Sequence, residues 1–255
     1  MWAYGRVERF AIRNTDATIG TGPALVAQAR QIAPDKPVFH IFDIPSSLVD
    51  PSPDQVVAAR RQMGARDNEV WALYVGSFAV YQGIDLLFSA IPRVIKANAQ
   101  ARFAIIGGSA AEIECRKQEL ARVGVGNAVQ FLGLIPPDDL PNYLAAADIL
   151  LSPRIAGANT PLKLLDYLKA GRAIVATDTP ANRLLLDEHT AELCAPNAEA
   201  FAAAILRLAA DPSRRGALAQ AGARLVRDQY HFAEFARRLV ACYDTVLSRV
   251  NPPAR

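Results

Sequence analysis

The sequence predicts an α/β fold: a doubly wound parallel sheet, preceded by a partial second α/β layer. Three observations predict it. From Val70 onward, short apolar runs bounded by glycine and proline alternate with segments of helical period. The apolar runs are continuous, as in strands whose two faces are both covered by helices. Before a proline-rich stretch at Asp43 to Pro53 there are only two strand candidates, too few for a sheet that must bury both faces.

Taken in order, Met1 to Asp16 carries Val7, Phe10, Ala11 and Ile12 and reads as a helix. Ala17 to Thr21 is a short strand candidate, Ala24 to Ile32 a helix and Val38 to Ile44 a strand. Apolar surface around Phe39, Ile41 and Phe42 should be left exposed by so small a layer. Asp43 to Pro53, with three prolines and three serines, reads as a linker. Asp54 to Arg66 is then a polar helix.

The main sheet begins at Val70. Val70 to Val75 is a buried strand ending at Gly76-Ser77, and Ile84, Leu87, Phe88, Ile91 and Ile95 line one face of a helix to Asn98. Arg102 to Ile106 is a strand running into Gly107-Gly108. Ala111 to Val123 is a helix, Val129 to Leu134 a strand and Pro137 to Ala147 a short helix opened by Pro136-Pro137-Asp138. Beyond Thr177 come a helix near Ala181 to Asp187, a strand at Glu192 to Ala195, and helices over Glu199–Ala209, Pro212–Gln229 and Phe232–Val250. The last carries a long apolar stripe, Phe232, Phe235, Leu239, Cys242, Tyr243 and Val246, and is expected to pack partly on the N-terminal segment.

Ile149 to Thr177 (ILLSPRIAGANTPLKLLDYLKAGRAIVAT) is the stretch around which the rest is organised. An apolar strand stops at Ser152-Pro153 and gives way to a loop of small residues. Thr160 is an expected N-cap with Pro161 at the first helical position. Leu162, Leu165 and Leu168 recur at helical spacing, Ala170-Gly171 ends the helix, and Ala173 to Thr177 is a second buried strand. A helix opening at the C-terminal end of a parallel strand aims N–H groups and a positive dipole end at one spot, which suits a phosphate or diphosphate.

Composition narrows the function classes. A chain of 255 residues, 51% apolar and 21% charged, reads as an ordinary globular protein able to bury a sizeable core. A net charge of +3 with scattered arginines argues for neither nucleic acid nor membrane. Cys115, Cys194 and Cys242 have no metal or redox spacing, which fits a reducing cytoplasm. No signal peptide and no membrane-spanning run is readable. No Ser-His-Asp, Cys-His or metal constellation is readable either. His40, His189 and His231 lack partners at ligand spacing, and Glu188 and Glu192 read as a solvated face.

Ligands on such sheets bind outside the carboxyl ends of the strands, where strand order reverses. Four loops qualify. The first holds Gly76, Ser77, Gln82 and Gly83, whose glycines allow close backbone approach. The second is Gly107-Gly108-Ser109 and the third Gly133-Leu134-Ile135-Pro136. In the fourth, Arg154 is placed to face phosphate, and Asn159, Thr160, Pro161, Leu162 and Lys163 form the helix entry. Lys163 and Asp166 share a helix side, where a plain surface ion pair is the alternative reading.

The stretch from Ile149 to Thr177 resembles the donor-binding motif of retaining GT-B glycosyltransferases of family four. That family has one glutamate in the loop, a second eight positions on in the helix, and then a Gly-Pro-Val-Val-Ala-Thr-like turn and strand. Asp166 stands at the second glutamate position, and Gly171 to Thr177 (GRAIVAT) matches that turn and strand. Ala158 stands at the first, and Asn159-Thr160-Pro161-Leu162-Lys163 resembles a branch of the family that keeps an Asn-Thr-Pro-Leu-Lys loop. Gln82 stands where the family often has a diphosphate-neutralising lysine.

The resemblance implies a remnant of an acceptor domain at 1–45, a linker and helix at 46–66, and a nucleotide-sugar-binding domain at 67–255. It implies nucleobase contact near Leu134 through backbone groups and ribose contact at Asp166. The activity implied is retaining, metal-independent transfer of a sugar from a nucleoside-diphosphate-sugar donor, with no further cofactor. The acceptor, whether glycan, lipid or small molecule, stays open, as do attachment to the inner face of the membrane and a partner chain supplying the acceptor half. A non-catalytic sugar-nucleotide-binding subunit, or a truncated inactive homologue, is the main alternative, and Ala158, Gln82 and the short N-terminal segment favour it. A GT-B-type epimerase would want more cleft carboxylates and histidines than can be placed.

Overall fold

The computed structural model describes residues 2–47, 49–157 and 159–250. Leu48 in the expected linker, Ala158 at the first glutamate position, Met1 and the last five residues lie outside them. In chain order the elements are α1 (Trp2–Asn14), β1 (Thr18–Gly20), α2 (Pro23–Ile32), β2 (Val38–His40), α3 (Pro53–Gln62), β3 (Val70–Val75), α4 (Ile84–Ala97), β4 (Ala101–Ile106) and α5 (Ala110–Arg122). Next are β5 (Val129–Gly133), α6 (Leu140–Ala146), β6 (Ile149–Ser152), α7 (Lys163–Lys169), β7 (Ala173–Thr177), β8 (Glu192–Cys194), α8 (Ala198–Ala210), α9 (Pro212–Gln229) and α10 (Phe232–Val250).

These form two compact units, one of residues up to Ile44 together with Asp228 onward, the other Pro45–Arg227. The larger unit carries a six-stranded sheet of order β5-β4-β3-β6-β7-β8 in which every pairing is parallel. Its four central strands, β4, β3, β6 and β7, are buried over most of their length, as continuous apolar runs require. Leu73, Phe103, Ile105, Leu150 and Ile174 are fully enclosed, and α4 and α8 add Leu87, Ile91, Phe201 and Leu208 to the core. The strand order reverses between β3 and β6, so the crevice outside their carboxyl ends is where a ligand is expected.

The larger unit begins earlier than the expected boundary at 67. Ser52 caps α3 in a reciprocal capping box with Gln55. Arg60 then donates to the Ala146 carbonyl at 2.7 Å and pairs with Asp148 at 3.4 Å, which ties α3 to the end of α6. The same unit ends at Arg227, so α10 groups with the N-terminal segment, as its apolar stripe suggested.

In the smaller unit β1 and β2 form a two-stranded parallel sheet of their own, apart from the main one. β2 is shorter than the expected Val38–Ile44 because β1 offers only Thr18 to Gly20 as partners. The Phe42 ring sits 4.8 Å from that of Tyr230 and under the Arg238 guanidinium at 4.2 Å. These contacts correct the expectation of exposed surface there. Ile41 is buried and Phe39 and Phe42 are half-buried, while the exposed apolar side chains of this unit include Tyr4, Val7 and Phe10 on α1 and Phe232, Val240, Tyr243 and Leu247 on α10.

Two local expectations in the larger unit also change. Ala181 to Asp187 is not a helix but a 3-10 turn at Asn182–Leu184, because the Asn182 side chain turns back to the Thr177 carbonyl and Asp187 caps a tight turn with Thr190. α7 starts at Lys163 rather than at Pro161, and no side chain caps it. Leu164 and Leu165 donate instead to the carbonyls of Pro161 and Leu162 at 2.9 and 3.0 Å, a tight i to i+3 entry that leaves Thr160 outside the helix.

Candidate functional site

The loops after β3 and β6 meet at the point where strand order reverses, and glycine lets them meet. Gly83 has φ 73° at the start of α4, and a Cβ there would overlap the carbonyl of Pro153, 2.6 Å from its carbon. Ile155 donates to the Tyr81 carbonyl at 3.1 Å and closes the same seam. One strand over, a Cβ on Gly107 would lie 2.9 Å from the carbonyl carbon of Gly76, and one on Gly108 would press into the Phe78 ring. The floor of the crevice is therefore bare backbone from Gly76, Gly107 and Gly108, as close approach by a polar ligand requires.

Two basic side chains lie beside this floor. Arg154 is buried, with its Nε donating to the Ala156 carbonyl at 2.8 Å and its guanidinium 5.4 Å from the Tyr81 ring centre. Its position is held from behind. Thr177 Oγ1 donates to the Arg154 carbonyl, and buried Asn182 donates to Thr177 O and Oγ1 at 2.8 and 3.0 Å. Gly157 has φ 110°, and a Cβ there would stand 3.0 Å from Cζ of Arg154.

Lys163 reaches the same place from the first position of α7. Its Nζ donates to Val75 O at 3.1 Å and to Gln82 Oε1 at 3.3 Å, and lies 4.7 Å over the Tyr74 ring. Burial first, and Arg154 second, push its amine down to about 7. Tyr74 donates to the Ser77 carbonyl at 2.8 Å, and Tyr167 accepts from Val75 N at 3.1 Å; burial raises both hydroxyls. The tyrosines under the site are thus neutral donors and acceptors.

Of the residues expected at the site, Gly76, Gln82, Gly83, Gly108, Arg154 and Lys163 come together at the ends of β3, β4 and β6. Ser77 contributes its carbonyl to Tyr74 and is otherwise exposed. Asn159 and Leu162 are exposed, Thr160 is half-buried and Pro161 buried at the α7 entry. Leu134 is 83% exposed beyond the end of β5.

Asp166 faces elsewhere. Its Oδ1 accepts from Ser46 N at 2.7 Å and Ser46 Oγ at 2.9 Å, and it lines a cavity of about 160 Å³ with Ser46, Asp50, Leu140, Leu144 and Lys169. Burial, countered by these hydrogen bonds, raises its carboxyl. Lys163 and Asp166 therefore do not form the surface pair that their spacing allowed. Glu188 pairs with Arg183 at 2.7 Å on the solvated face, whereas Glu192, expected there too, is largely covered and pairs with Arg207 at 2.8 Å. Among the described residues no group of three His, Cys, Asp or Glu side chains could hold a metal. None of their helices is long and apolar enough to cross a membrane.

Sequence reading missed Asn182 and the direction of the Lys163 side chain. A signal for the first exists only in the polar spacing Ser152, Thr177, Thr179, Asn182, which acquires meaning once β6 and β7 are paired.

The chain matches the family model described as Glycosyl transferases group 1 over residues 69–211, more than half its length. It is 27% identical over 252 residues to a GDP-mannose-dependent alpha-(1-6)-phosphatidylinositol monomannoside mannosyltransferase of Mycolicibacterium smegmatis, covering 93% of this chain and 65% of that protein. A GDP-mannose-dependent monoacylated alpha-(1-6)-phosphatidylinositol monomannoside mannosyltransferase of Corynebacterium glutamicum is 28% identical, over 74% of this chain and 50% of that one. The chain thus spans one half to about two thirds of the length of these relatives. Among solved structures, sucrose-phosphate synthase of Thermosynechococcus elongatus superposes with a TM-score of 0.78 at 23% identity, covering 98% of this chain and 63% of that one. Anabaena HepE in complex with UDP and glucose superposes with a TM-score of 0.81 at 17% identity, covering 96% and 68%.

Proposed function

We propose, from the premise that the chain belongs to the group 1 glycosyl transferases, that it carries the donor site of a retaining, metal-independent transferase that uses a nucleoside-diphosphate sugar. The observation that carries the reading is the buried guanidinium of Arg154 and the enclosed amine of Lys163, over a glycine floor at the reversal of strand order, with no carboxylate paired to either among the described residues. Uncompensated buried cations are costly, and a diphosphate would compensate both. The crevice would bind the diphosphate through Arg154, Lys163 and the Gly76 and Gly108 backbone, and would stabilise the departing nucleotide as negative charge develops on it. The ribose and base would extend toward Gly133-Leu134. Asp166, tied to Ser46, serves in this reading to fix the start of the larger unit against α7.

The names of the mannosyltransferase relatives and the UDP bound to HepE support a sugar nucleotide of either base. Titration calorimetry with UDP, GDP and their sugar conjugates tests the reading. Binding is expected, and Arg154→Ala is expected to weaken it by about 1.5–3 kcal/mol, the range for a hydrogen bond to a charged group. Unchanged affinity in that variant would move the site. Gln82 and Ala158, at the family's lysine and glutamate positions, favour a second reading, a subunit that binds the donor without turning it over. Binding without donor hydrolysis or transfer would select it.

A further inference from the structure

The amine of Lys163 is enclosed with no anion beside it among the described residues. The residue is half-buried as a whole, but its Nζ is shut in between the end of β3 and the loop after it, where both acceptors, Val75 O and Gln82 Oε1, are neutral. The groups that face it from each neighbouring element contain no compensating charge. From β3 comes Tyr74, whose hydroxyl is kept protonated by burial and is spent on Ser77 O. From the loop after β6 comes Arg154, of the same sign. From α7 itself, Tyr167 turns its hydroxyl to Val75 N, and Asp166 turns away to Ser46. From the turn before α4 comes Gln82, with Tyr81 beside it engaged with Arg154.

The amine borders the glycine floor of the crevice. A Cβ on Gly76 would lie 3.4 Å from Nζ and 2.8 Å from the Tyr74 hydroxyl, so only backbone stands between the amine and the floor there. Enclosure and the neighbouring guanidinium hold the amine near 7, so at neutral pH it is only partly protonated. An arriving anion reverses both effects, because it replaces neutral acceptors by charged ones and offsets Arg154.

We infer that the side-chain amine of Lys163 leaves Gln82 to meet the phosphates of the donor, and that wherever it is neutral beforehand it takes up a proton from solvent as it does so, which makes donor binding stronger as pH falls through neutrality. This rests on the reading of the crevice as a nucleoside-diphosphate-sugar site. Proton balance is simple. Nζ passes from –NH₂ to –NH₃⁺ in the fraction of molecules that are neutral before binding, and the sugar-nucleotide phosphates, already ionised, lose nothing.

The test is calorimetry with UDP-glucose and GDP-mannose, whose diesterified phosphates do not titrate near neutrality, in two buffers of different ionisation enthalpy. For the conjugate that binds, about half a proton should be taken up per molecule at pH 7, and affinity should fall about tenfold between pH 6 and pH 8 by linkage. Lys163→Met should abolish uptake and flatten the pH profile. Lys163→Arg should keep affinity at pH 8 while showing no uptake, because guanidinium does not titrate in this range. Binding by the parent chain without proton uptake, or undiminished affinity in Lys163→Met, would overturn the inference and leave the site reading standing. Absence of binding to either conjugate and to UDP and GDP would overturn both.

Discussion

Gly83 presses its α-carbon against the carbonyl of Pro153, so that the loop after β3 and the loop after β6 touch with no side chain between them. A methyl group there would overlap the Pro153 oxygen and would have to be carried at φ 73°. Gly64 has the similar φ of 79° but nothing within 4 Å of its absent Cβ. Gly64→Ala should therefore cost only the left-handed backbone term, about 1 kcal/mol. Gly83→Ala should cost about 3 kcal/mol or more, since backbone rather than a flexible side chain must yield. Urea unfolding followed by fluorescence, with Trp71 in the core of the same unit, measures the difference. Equal costs would mean that the two loops separate freely.

Asn182 holds the site from behind. It is fully buried, donates to Thr177 O and Oγ1, and through Thr177 fixes the carbonyl of Arg154. Asn182→Ala should destabilise the unit by about 2–3 kcal/mol, because it strands buried acceptors on β6 and β7. It should also weaken nucleotide binding without touching ligand. Intact affinity in a folded Asn182→Ala protein would show that Arg154 needs no support.

Lys163→Met should stabilise the apo protein at acid and neutral pH. The folded amine titrates near 7 against an unfolded value of 10.5, so the folded state disfavours the proton. Burial of the charge costs its full amount below pH 7, and that cost is relieved as pH rises from about 7 to about 10.5. Removal of the amine should then gain about 1–2 kcal/mol at pH 6, reduced from the full linkage value because the residue is half-buried. The gain should shrink toward pH 10. Thermal melts across that range would show it, and a gain independent of pH would assign the effect to packing alone.

Asp166 binds the stretch leading into α3 to α7 through Ser46 N and Oγ. Asp166→Ala should destabilise the larger unit by about 1–2 kcal/mol and speed amide exchange at Ser46. Asp166→Asn, which keeps an oxygen to accept both bonds, should lie close to the parent in both measures. If Asp166→Asn instead abolishes nucleotide binding, the carboxylate acts on the ligand directly.

Much of this architecture is determined by the sequence alone. The continuous apolar runs Val70–Val75, Ile149–Leu151 and Ala173–Thr177, punctuated by Gly76, Pro153 and Gly171, specify buried parallel strands, because only such strands are apolar on both faces. The helical period of α4 and the apolar stripe of α10 are equally local properties. The glycines that floor the crevice were legible as turn positions.

What only the tertiary structure decided depends on partners distant in the chain. Lys163 and Asp166 sit three residues apart, yet one reaches Gln82, 81 positions away, and the other Ser46, 120 positions away. The α7 N-cap failed because its tight entry turn satisfies the first N–H groups, those of Leu164 and Leu165, without Thr160. Ala181 to Asp187 has the composition of a helix, but the Asn182 amide finds Thr177 and Ser152 only after β6 and β7 have paired. Side-chain direction is set by which polar partner is within reach once the strands are in register, and periodicity carries no term for that.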